Sequence, residues 1–325
     1  MSTSRRPSNR PGFTLVEVLI VIAIIAILMT ILVPVLGAIM RKAKEAAVRT
    51  EITSLENAIA DFKATYGANP PGHIHLYEAG GGWPTNTADG REARGIMRRL
   101  WPRFNFSIDR DFNGNGSIDD DPDGDNVDGV HLSGAECLVL FLGGTIRRDA
   151  NGRPFPIGFS KNPANPFAPP SSPNESRVGP FYEFDASRLI DIDNYPSHDT
   201  NNDGVHYSDG FPEYSDNLPN QVAPYLYINS ATSGSGFDVD SWVVYSTPAF
   251  NLAVGAYRQG SLTGPFFKAR SFQIISPGYG PHENNAGIFR PYGTGGVYDS
   301  DNTSALSAQD GDNITNFGPG GRLKP

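Results

Sequence analysis

The residues best suited to binding a ligand lie in an acidic segment, DRDFNGNGSIDDDPDGDNVDG, at positions 109–129. It follows the pattern D-x-[DN]-x-[DN]-G, in which alternate oxygen-bearing side chains precede a glycine that permits a sharp turn. Calcium favours such a set because it takes about six to eight oxygen ligands. The pattern's last position is Pro122, where a bidentate acid is needed, so that ligand must come from Asp120, Asp121 or a neighbouring segment. The predicted calcium ligands of this segment are Asp111, Asn113, Asn115, Asp119, Asp121 and Asp123.

A second segment, DTNNDGVHYSDG at positions 199–210, repeats the alternation with Asp199, Asn201 and Asp203. Both segments resemble the bare calcium loops of dockerin or thrombospondin repeats more than a helix-flanked EF-hand. The alternative is that Asp, Asn and Gly serve here only as turn formers. With two such loops in one acidic chain, Ca²⁺ is the predicted cofactor.

Catalytic patterns are absent from the sequence. The six histidines form no HExxH spacing, there is no GxSxG, and no phosphate-binding loop follows a strand. His73 and His75 could share a metal, but a solvated loop pair is the favoured interpretation. The carboxylates are spaced for calcium binding and not for acid–base work, so we predict a protein that is not an enzyme.

Composition narrows the class of protein further. The net charge of −9 over 325 residues argues against nucleic acid as a partner, because phosphate binding depends on clustered Lys and Arg. Cys137 is the only cysteine, so no disulfide can form within the chain. The 36 Gly and 27 Pro predict many turns and short strands.

The N-terminus predicts a membrane span. Residues 1–12 contain three arginines and no acid, which is typical of a flank that stays cytoplasmic. From Phe13 to Met40 the only charged residue is Glu17. A helix of these 28 residues is about 42 Å long and exceeds the ~30 Å hydrocarbon thickness. A carboxylate inside such a helix costs roughly 2.5–3.5 kcal/mol, so Glu17 should meet a cationic partner.

The run GFTLVEVLIVIAIIAILMTILVPVLGA resembles the processing signal of type IV prepilins and type II secretion pseudopilins. The resemblance implies that prepilin peptidase cleaves between Gly12 and Phe13 and methylates the new N-terminus. It also implies that the freed Phe13 amine pairs with Glu17 of a neighbouring subunit. Pro34 matches a proline that is frequent in this family, and inside a helix it invites a kink or local melting. The alternative is an ordinary signal anchor with an isolated acid near its cytoplasmic end.

Beyond the apolar segment, six residues recur at helical spacing and predict an amphipathic helix that packs on a globular domain. They are Val48, Ile52, Leu55, Ile59, Phe62 and Tyr66. We expect the helix to stop at Gly67. A basic amphipathic helix is predicted around Arg91–Arg103. A second helix is predicted in SGAECLVLFLGG, with a Ser133–Glu136 capping box and a cap at Gly143.

Strands are predicted in APYLYINS, DSWVVYSTPAF and SFQIISPG, each bounded by turn residues. The predicted fold class is α+β and pilin-like: a long N-terminal helix, with a membrane half and an amphipathic half, packed on a small antiparallel sheet, with a large loop-rich insertion. The predicted divisions are a leader peptide (1–12), a transmembrane and assembly helix (13–40), an amphipathic helix (41–66), a loop-rich acidic insertion (67–224), and an antiparallel sheet with a C-terminal loop (225–325).

The phrase LENAIADFKATYGANPP and the ending DGDNITNF also resemble major pseudopilins. By that resemblance the C-terminal calcium ligands are Asp310 and Asp312, with Asp299 or Asp301. The resemblance implies a filament subunit of a type II secretion pseudopilus or type IV pilus-like fibre. Its partners would be other pilin-like subunits, prepilin peptidase and the bacterial inner membrane, with the globular part periplasmic or at the cell surface. The alternative from another class is a membrane-anchored, calcium-dependent adhesive or carbohydrate-binding protein.

Overall fold

The computed structural model describes residues 14–118, 130–191, 210–219, 223–230, 256–259, 264–279, 297–298 and 313–318. The chain divides into two compact units, Met1–Ala46 and Ala47–Pro325. Gly12 and Phe13 lie outside the described residues, as do most of the predicted calcium ligands. Those ligands are Asp119, Asp121, Asp123, Asp199, Asn201, Asp203, Asp299, Asp301, Asp310 and Asp312.

The first unit contains the apolar part of helix α1 (Leu15–Tyr66). All residues from 14 to 43 are exposed, although the most apolar 18-residue window has a mean hydropathy of 3.2. A helix that is apolar on all sides needs lipid or other apolar helices around it. This part of α1 is long and apolar enough to cross a membrane, which fits the predicted membrane anchoring.

In the second unit, the remainder of α1 packs into the core through the predicted stripe. The first five residues of the stripe are at most 2 % exposed, and Tyr66 is partly buried against the same core. Gly67 ends the helix with a φ of +79°, and its N–H donates to the Lys63 carbonyl at 2.8 Å. Glycine adopts this left-handed conformation without strain. The predicted amphipathic helix and its stop are therefore confirmed.

Two further helices are placed by their caps. Helix α2 (Ala88–Leu100) begins after Thr87, whose side chain accepts the Gly90 N–H, and it carries the predicted basic face. Helix α3 (Gly134–Gly143) begins with the predicted capping box and is buried along its whole length. Its C-cap is Gly144, with a φ of +89°, one residue beyond the predicted Gly143. The cap falls there because Gly144 adopts the left-handed conformation, whereas Gly143 still belongs to the helix.

The strands are short, in keeping with the glycine and proline content. In chain order they are β1 (Ile74–Leu76), β2 (Val130–Leu132), β3 (Ile146–Arg148), β4 (Pro154–Pro156), β5 (Leu189–Ile190), β6 (Glu213–Tyr214), β7 (Leu226–Asn229), β8 (Arg258–Gln259), β9 (Phe272–Ser276), β10 (Val297–Tyr298) and β11 (Ile314–Thr315). The antiparallel pairs β1–β2, β3–β4 and β5–β6 form separate ribbons, and β8 pairs with β10 in parallel.

A three-stranded antiparallel sheet has the order β11–β9–β7, with Leu226 opposite Ile275 and Ile314 opposite Ser276. Its strands β7 and β9 are those predicted in APYLYINS and SFQIISPG, whereas DSWVVYSTPAF lies outside the described residues. Buried residues of this sheet, of α3 and of the α1 stripe form one hydrophobic core. A long N-terminal helix with small antiparallel sheets and loop-rich regions confirms the α+β prediction.

Candidate assembly site

The first turn of α1 holds the candidate assembly carboxylate, Glu17, in a capping box with Thr14. The Glu17 Oε2 atom accepts hydrogen bonds from the Thr14 backbone N–H and hydroxyl, both at 2.8 Å. The Thr14 hydroxyl in turn accepts the Glu17 backbone N–H at 3.3 Å. Both bonds to the carboxylate use the same oxygen, and Oε1 accepts no hydrogen bond from the described part of the chain. One oxygen of an exposed carboxylate is therefore available to a group from outside.

Thr14 did not figure in the sequence-based prediction of this site. The signal was present, because Thr-x-x-Glu ahead of an apolar run is the signature of a capping box at a helix start. The box satisfies N–H groups that have no partner in the first turn. It also fixes the start of α1 at Leu15, so two residues, Phe13 and Thr14, separate the predicted cleavage point from the helix.

Pro34, the second predicted assembly residue, lies inside α1, and the helix continues through it. Proline lacks a backbone N–H, so the Thr30 carbonyl four residues earlier loses its usual helical partner. The Thr30 hydroxyl donates to the Ile27 carbonyl at 2.6 Å in the turn before it. Of the two outcomes expected from Pro34, local melting is not found.

A second carboxylate of α1, Glu51, is the centre of a polar cluster that we call the Glu51 cluster: Glu51, Tyr182, Arg188, Tyr214 and Tyr225. Arg188 donates to both oxygens of Glu51, from Nη1 and Nη2, at 2.6 Å each. The Tyr225 hydroxyl donates at 2.6 Å, and the other two tyrosine hydroxyls donate at 3.1 Å. The Glu51 side chain is 12 % exposed. Five hydrogen bonds thus join α1 to two other parts of the second unit.

The packing of the Glu51 cluster shifts the pKa values of its members. Burial raises the pKa of the Glu51 carboxyl, but the hydrogen bonds from Arg188 and Tyr225 and the positive charge of Arg188 outweigh it, so the pKa is lowered. Burial and the nearby Glu51 charge raise the pKa of Tyr214 to about 12. Glu51 is therefore ionised and the tyrosines are neutral donors at neutral pH.

A third carboxylate of α1, Glu56, connects the helix to the C-terminal part of the chain. It accepts hydrogen bonds from Lys268 Nζ at 2.6 Å and from Asn316 Nδ2 at 3.0 Å. Asn316 also accepts the Ile274 N–H through Oδ1 at 3.0 Å, which holds it beside β9. Asn316 belongs to the NITNF ending by which the C-terminus resembles major pseudopilins.

The described part of the first predicted calcium segment forms a tight loop around Asp111. Its two carboxylate oxygens accept the N–H groups of Asn115 at 3.1 Å and Gly116 at 2.9 Å. The Asn113 side chain also accepts the Asn115 N–H, at 3.0 Å. Gly116 has a φ of +91°, so the predicted glycine turn is present. The loop brings the first three predicted ligands together.

The first acidic loop lies against Gly210, the last residue of the second acidic segment. A side chain added at Gly210 would meet Asn113 at 3.4 Å and Arg148 at 3.0 Å. Arg148 donates to the Gly210 and Gly152 carbonyls. Gly210 is the last residue of the DTNNDGVHYSDG segment, so the two predicted calcium segments adjoin at this point.

His75 and Cys137, whose side chains could in principle bind a metal or react, are buried. Across the described ranges, no group of three or more His, Cys, Asp or Glu side chains is placed to hold a metal. His75 is buried in β1 and stacks on Tyr77, so a solvated His73–His75 pair is wrong. Cys137 is fully buried, and burial raises the pKa of its thiol well above the ordinary value, as expected for a structural cysteine.

Comparison with known families finds a match at the N-terminus. Residues 7–33 match the family model of the prokaryotic N-terminal methylation motif. The match covers Gly12, Phe13 and Glu17, and the chain therefore carries the type IV pilin and pseudopilin signature. No curated protein matches the chain, and no solved structure matches it. The resemblance found in the sequence is thus confirmed at the N-terminus.

Proposed function

We propose that this protein is a structural subunit of a type II secretion pseudopilus or a type IV pilus-like filament, and not an enzyme. Prepilin peptidase cleaves it between Gly12 and Phe13 and methylates Phe13. Before assembly it sits in the inner membrane with its N-terminus cytoplasmic and its second unit periplasmic. The observation that carries the proposal is the methylation motif at residues 7–33, at the start of a helix long enough to span a membrane.

Assembly in this proposal depends on the unused oxygen of Glu17. An ionised carboxylate is costly in an apolar environment unless a charged donor meets it. Thr14 supplies two hydrogen bonds but no positive charge. The methylated amine of Phe13 from a neighbouring subunit supplies that charge, so the pair forms when the apolar helices of the two subunits pack together.

Mass spectrometry of the N-terminal peptide from cells with and without prepilin peptidase tests the proposal. We expect the mature chain to begin at a methylated Phe13, and to retain Met1 or Ser2 when the peptidase is missing. A Gly12→Leu variant is the matched control, because it removes the processing site without changing α1. An uncleaved chain in peptidase-positive cells would contradict the proposal.

We further propose that calcium stabilises the second unit through the 109–129 segment. The support is chemical: Asp111, Asn113 and Asn115 present oxygens from one tight loop, and further acids follow them in the sequence. Gly210, which directly follows the acids at 199–209 in the sequence, lies beside the same loop. A metal bound here would hold together loops that no disulfide can brace.

Melting of the full chain in detergent, with calcium or with a chelator, tests the calcium proposal. We expect chelation to lower the melting temperature by several degrees, about 2–4 °C per kcal/mol for a unit of this size. The Asp111→Asn variant should lose most of this response, whereas Asp149→Asn, an acid in another turn, should keep it. Identical melting curves with and without calcium would remove the metal from the proposal.

A further inference from the structure

A cleft on the outer face of the β3–β4 hairpin contains positive charge that no carboxylate among the described residues neutralises fully. It is lined by Arg147 and Phe155 from the hairpin, by Arg177 and Glu175 from the following loop, and by Pro170 and Pro173. Arg147 and Phe155 are directly opposite each other in the strand register, so their side chains share one face. No residue of the assembly site or of the calcium segment lines this cleft, although Arg147 also lines a neighbouring cavity beside Asp111 and Asn115.

Arg177 is the fixed wall of the cleft. Its Nε donates to the Gly158 carbonyl at 3.1 Å and its Nη2 to the Thr145 hydroxyl at 3.0 Å. The side chain is 6 % exposed, yet Nη1 makes no hydrogen bond in the described part of the protein. The nearest acid atom is a Glu175 oxygen at 3.6 Å, beyond good hydrogen-bond length. A buried charged donor without an acceptor is costly, so an acceptor from a ligand would be stabilising.

Arg147 adds a second donor. Its side chain is exposed and makes no hydrogen bond or ion pair with any described residue. Burial and the charge of Arg147 lower the pKa of Arg177, with Glu175 opposing them, so the two arginines repel each other across the cleft. Glu175 neutralises the charge of the two arginines only partly. Its other oxygen accepts hydrogen bonds from the Ser171 N–H at 2.7 Å and hydroxyl at 2.6 Å. Two guanidinium groups around one opening are suited to an oxyanion.

The remaining wall is apolar. Phe155 is 36 % exposed and lines the cleft together with Pro170 and Pro173. Glu175 at the rim disfavours a doubly charged phosphate more than a singly charged carboxylate. We propose that the Arg147–Arg177 cleft binds the carboxylate side chain of an acidic peptide segment of a partner protein, with apolar neighbours of that acid packed on Phe155.

Fluorescence anisotropy of the full chain in detergent tests this proposal with a labelled peptide, acetyl-Gly-Leu-Glu-Leu-Gly amide. The probe's Glu→Gln analogue controls for uptake into micelles, because its apolar residues are the same. We expect the Glu peptide to bind at least about tenfold more tightly than the Gln peptide, as a charge-assisted contact implies. Arg147→Ala should lose that preference. Arg153→Ala, which removes an exposed arginine from the same hairpin outside the cleft, should keep it within about twofold.

Glu175→Gln gives a readout of opposite sign, since it removes the internal competitor for Arg177 and should tighten binding of the Glu peptide by about threefold. Equal binding of the two peptides, or an unchanged preference in Arg147→Ala, would overturn the proposal. Inorganic phosphate or phosphatidylglycerol vesicles that bind this cleft more tightly than the Glu peptide would overturn it as well, and would assign the site to phosphate.

Discussion

Glu17 and Glu51 are the same residue type on the same helix, but they have opposite surroundings. Glu17 is exposed in the first turn, and its described hydrogen bonds come from Thr14 in its own turn. Glu51 is 12 % exposed and receives a bidentate arginine and three tyrosine hydroxyls from residues more than 130 positions away. Glu51 is fully satisfied inside its unit, whereas Glu17 keeps one oxygen and its charge without a partner among the described residues.

This difference predicts a structural role for Glu51 and a role in assembly for Glu17. Removing one partner of an ion pair that folding has buried leaves the other charge unpaired, so loss of the Glu51 charge should lower stability. A charge that folding leaves unneutralised in an apolar segment has to be explained by an external partner. The two glutamates can therefore be tested against each other, because each should affect a property that the other leaves unchanged.

The largest expected effect is on assembly. Glu17→Gln keeps an oxygen that can accept the Thr14 bonds but removes the charge, so we expect membrane insertion and melting to be unchanged and filament incorporation to be lost. Incorporation is measured as the fraction of the protein in sheared or sedimented filaments. Thr14→Val is the matched control: it breaks part of the cap, leaves the carboxylate, and should still assemble.

Normal assembly of Glu17→Gln would show that the charge is dispensable and would remove the distinction drawn between the two glutamates. Loss of assembly in both Glu17→Gln and Thr14→Val would instead assign the role to the capping box. The comparison thus distinguishes a charge pair between subunits from a local requirement for a correctly started helix.

The second effect is on stability. Glu51→Ala leaves the Arg188 guanidinium, whose side chain is 19 % exposed, without its counter-ion, and breaking a mostly buried pair in this way costs up to about 3–5 kcal/mol. Denaturant unfolding of the full chain in detergent measures it. The control is Lys268→Ala, which removes the more exposed ion pair with Glu56 on the same helix and should cost less than about 1 kcal/mol. Equal losses in the two variants would contradict a special role for the Glu51 cluster.

The contrast between local contacts, as at Glu17, and distant contacts, as at Glu51, also explains how much of the fold could be predicted from the sequence. Helix α1, its stripe and the Ser133–Glu136 capping box depend on residues a few positions apart, so local patterns were sufficient. The Glu51 cluster depends on contacts between α1 and residues 182–225, and nothing in the spacing of Tyr and Arg indicates which helix face they meet. Strands of two or three residues, such as β5 and β6, are also too short to show a period.

For the candidate sites, prediction from the sequence depends on whether the residues of a site are close together in the chain. Glu17 was identifiable because a charge interrupts an apolar run, which is a local signal. The Arg147–Arg177 cleft was not, because its two arginines are 30 positions apart and come together only through the β3–β4 hairpin and the loop after it. Asp111, Asn113 and Asn115 are close in sequence, and they are the predicted metal residues that the described loop brings together.

The smallest effect is the pH dependence of the Glu51 contribution. The pKa of Glu51 is lower in the folded protein than its ordinary value of about 4.5, so the unfolded state takes up a proton first as the pH falls. The contribution of the charge to stability is therefore complete above about pH 4.5 and decreases as the pH falls towards the folded-state pKa. We expect the difference in unfolding free energy between the native protein and Glu51→Gln to be constant from about pH 7 to pH 5, and to shrink below it. The other carboxylates titrate in both proteins, so their contribution to the pH dependence cancels in this difference. A difference that stays constant to about pH 3 would mean that the Glu51 charge contributes nothing and that its hydrogen bonds alone hold α1 in place.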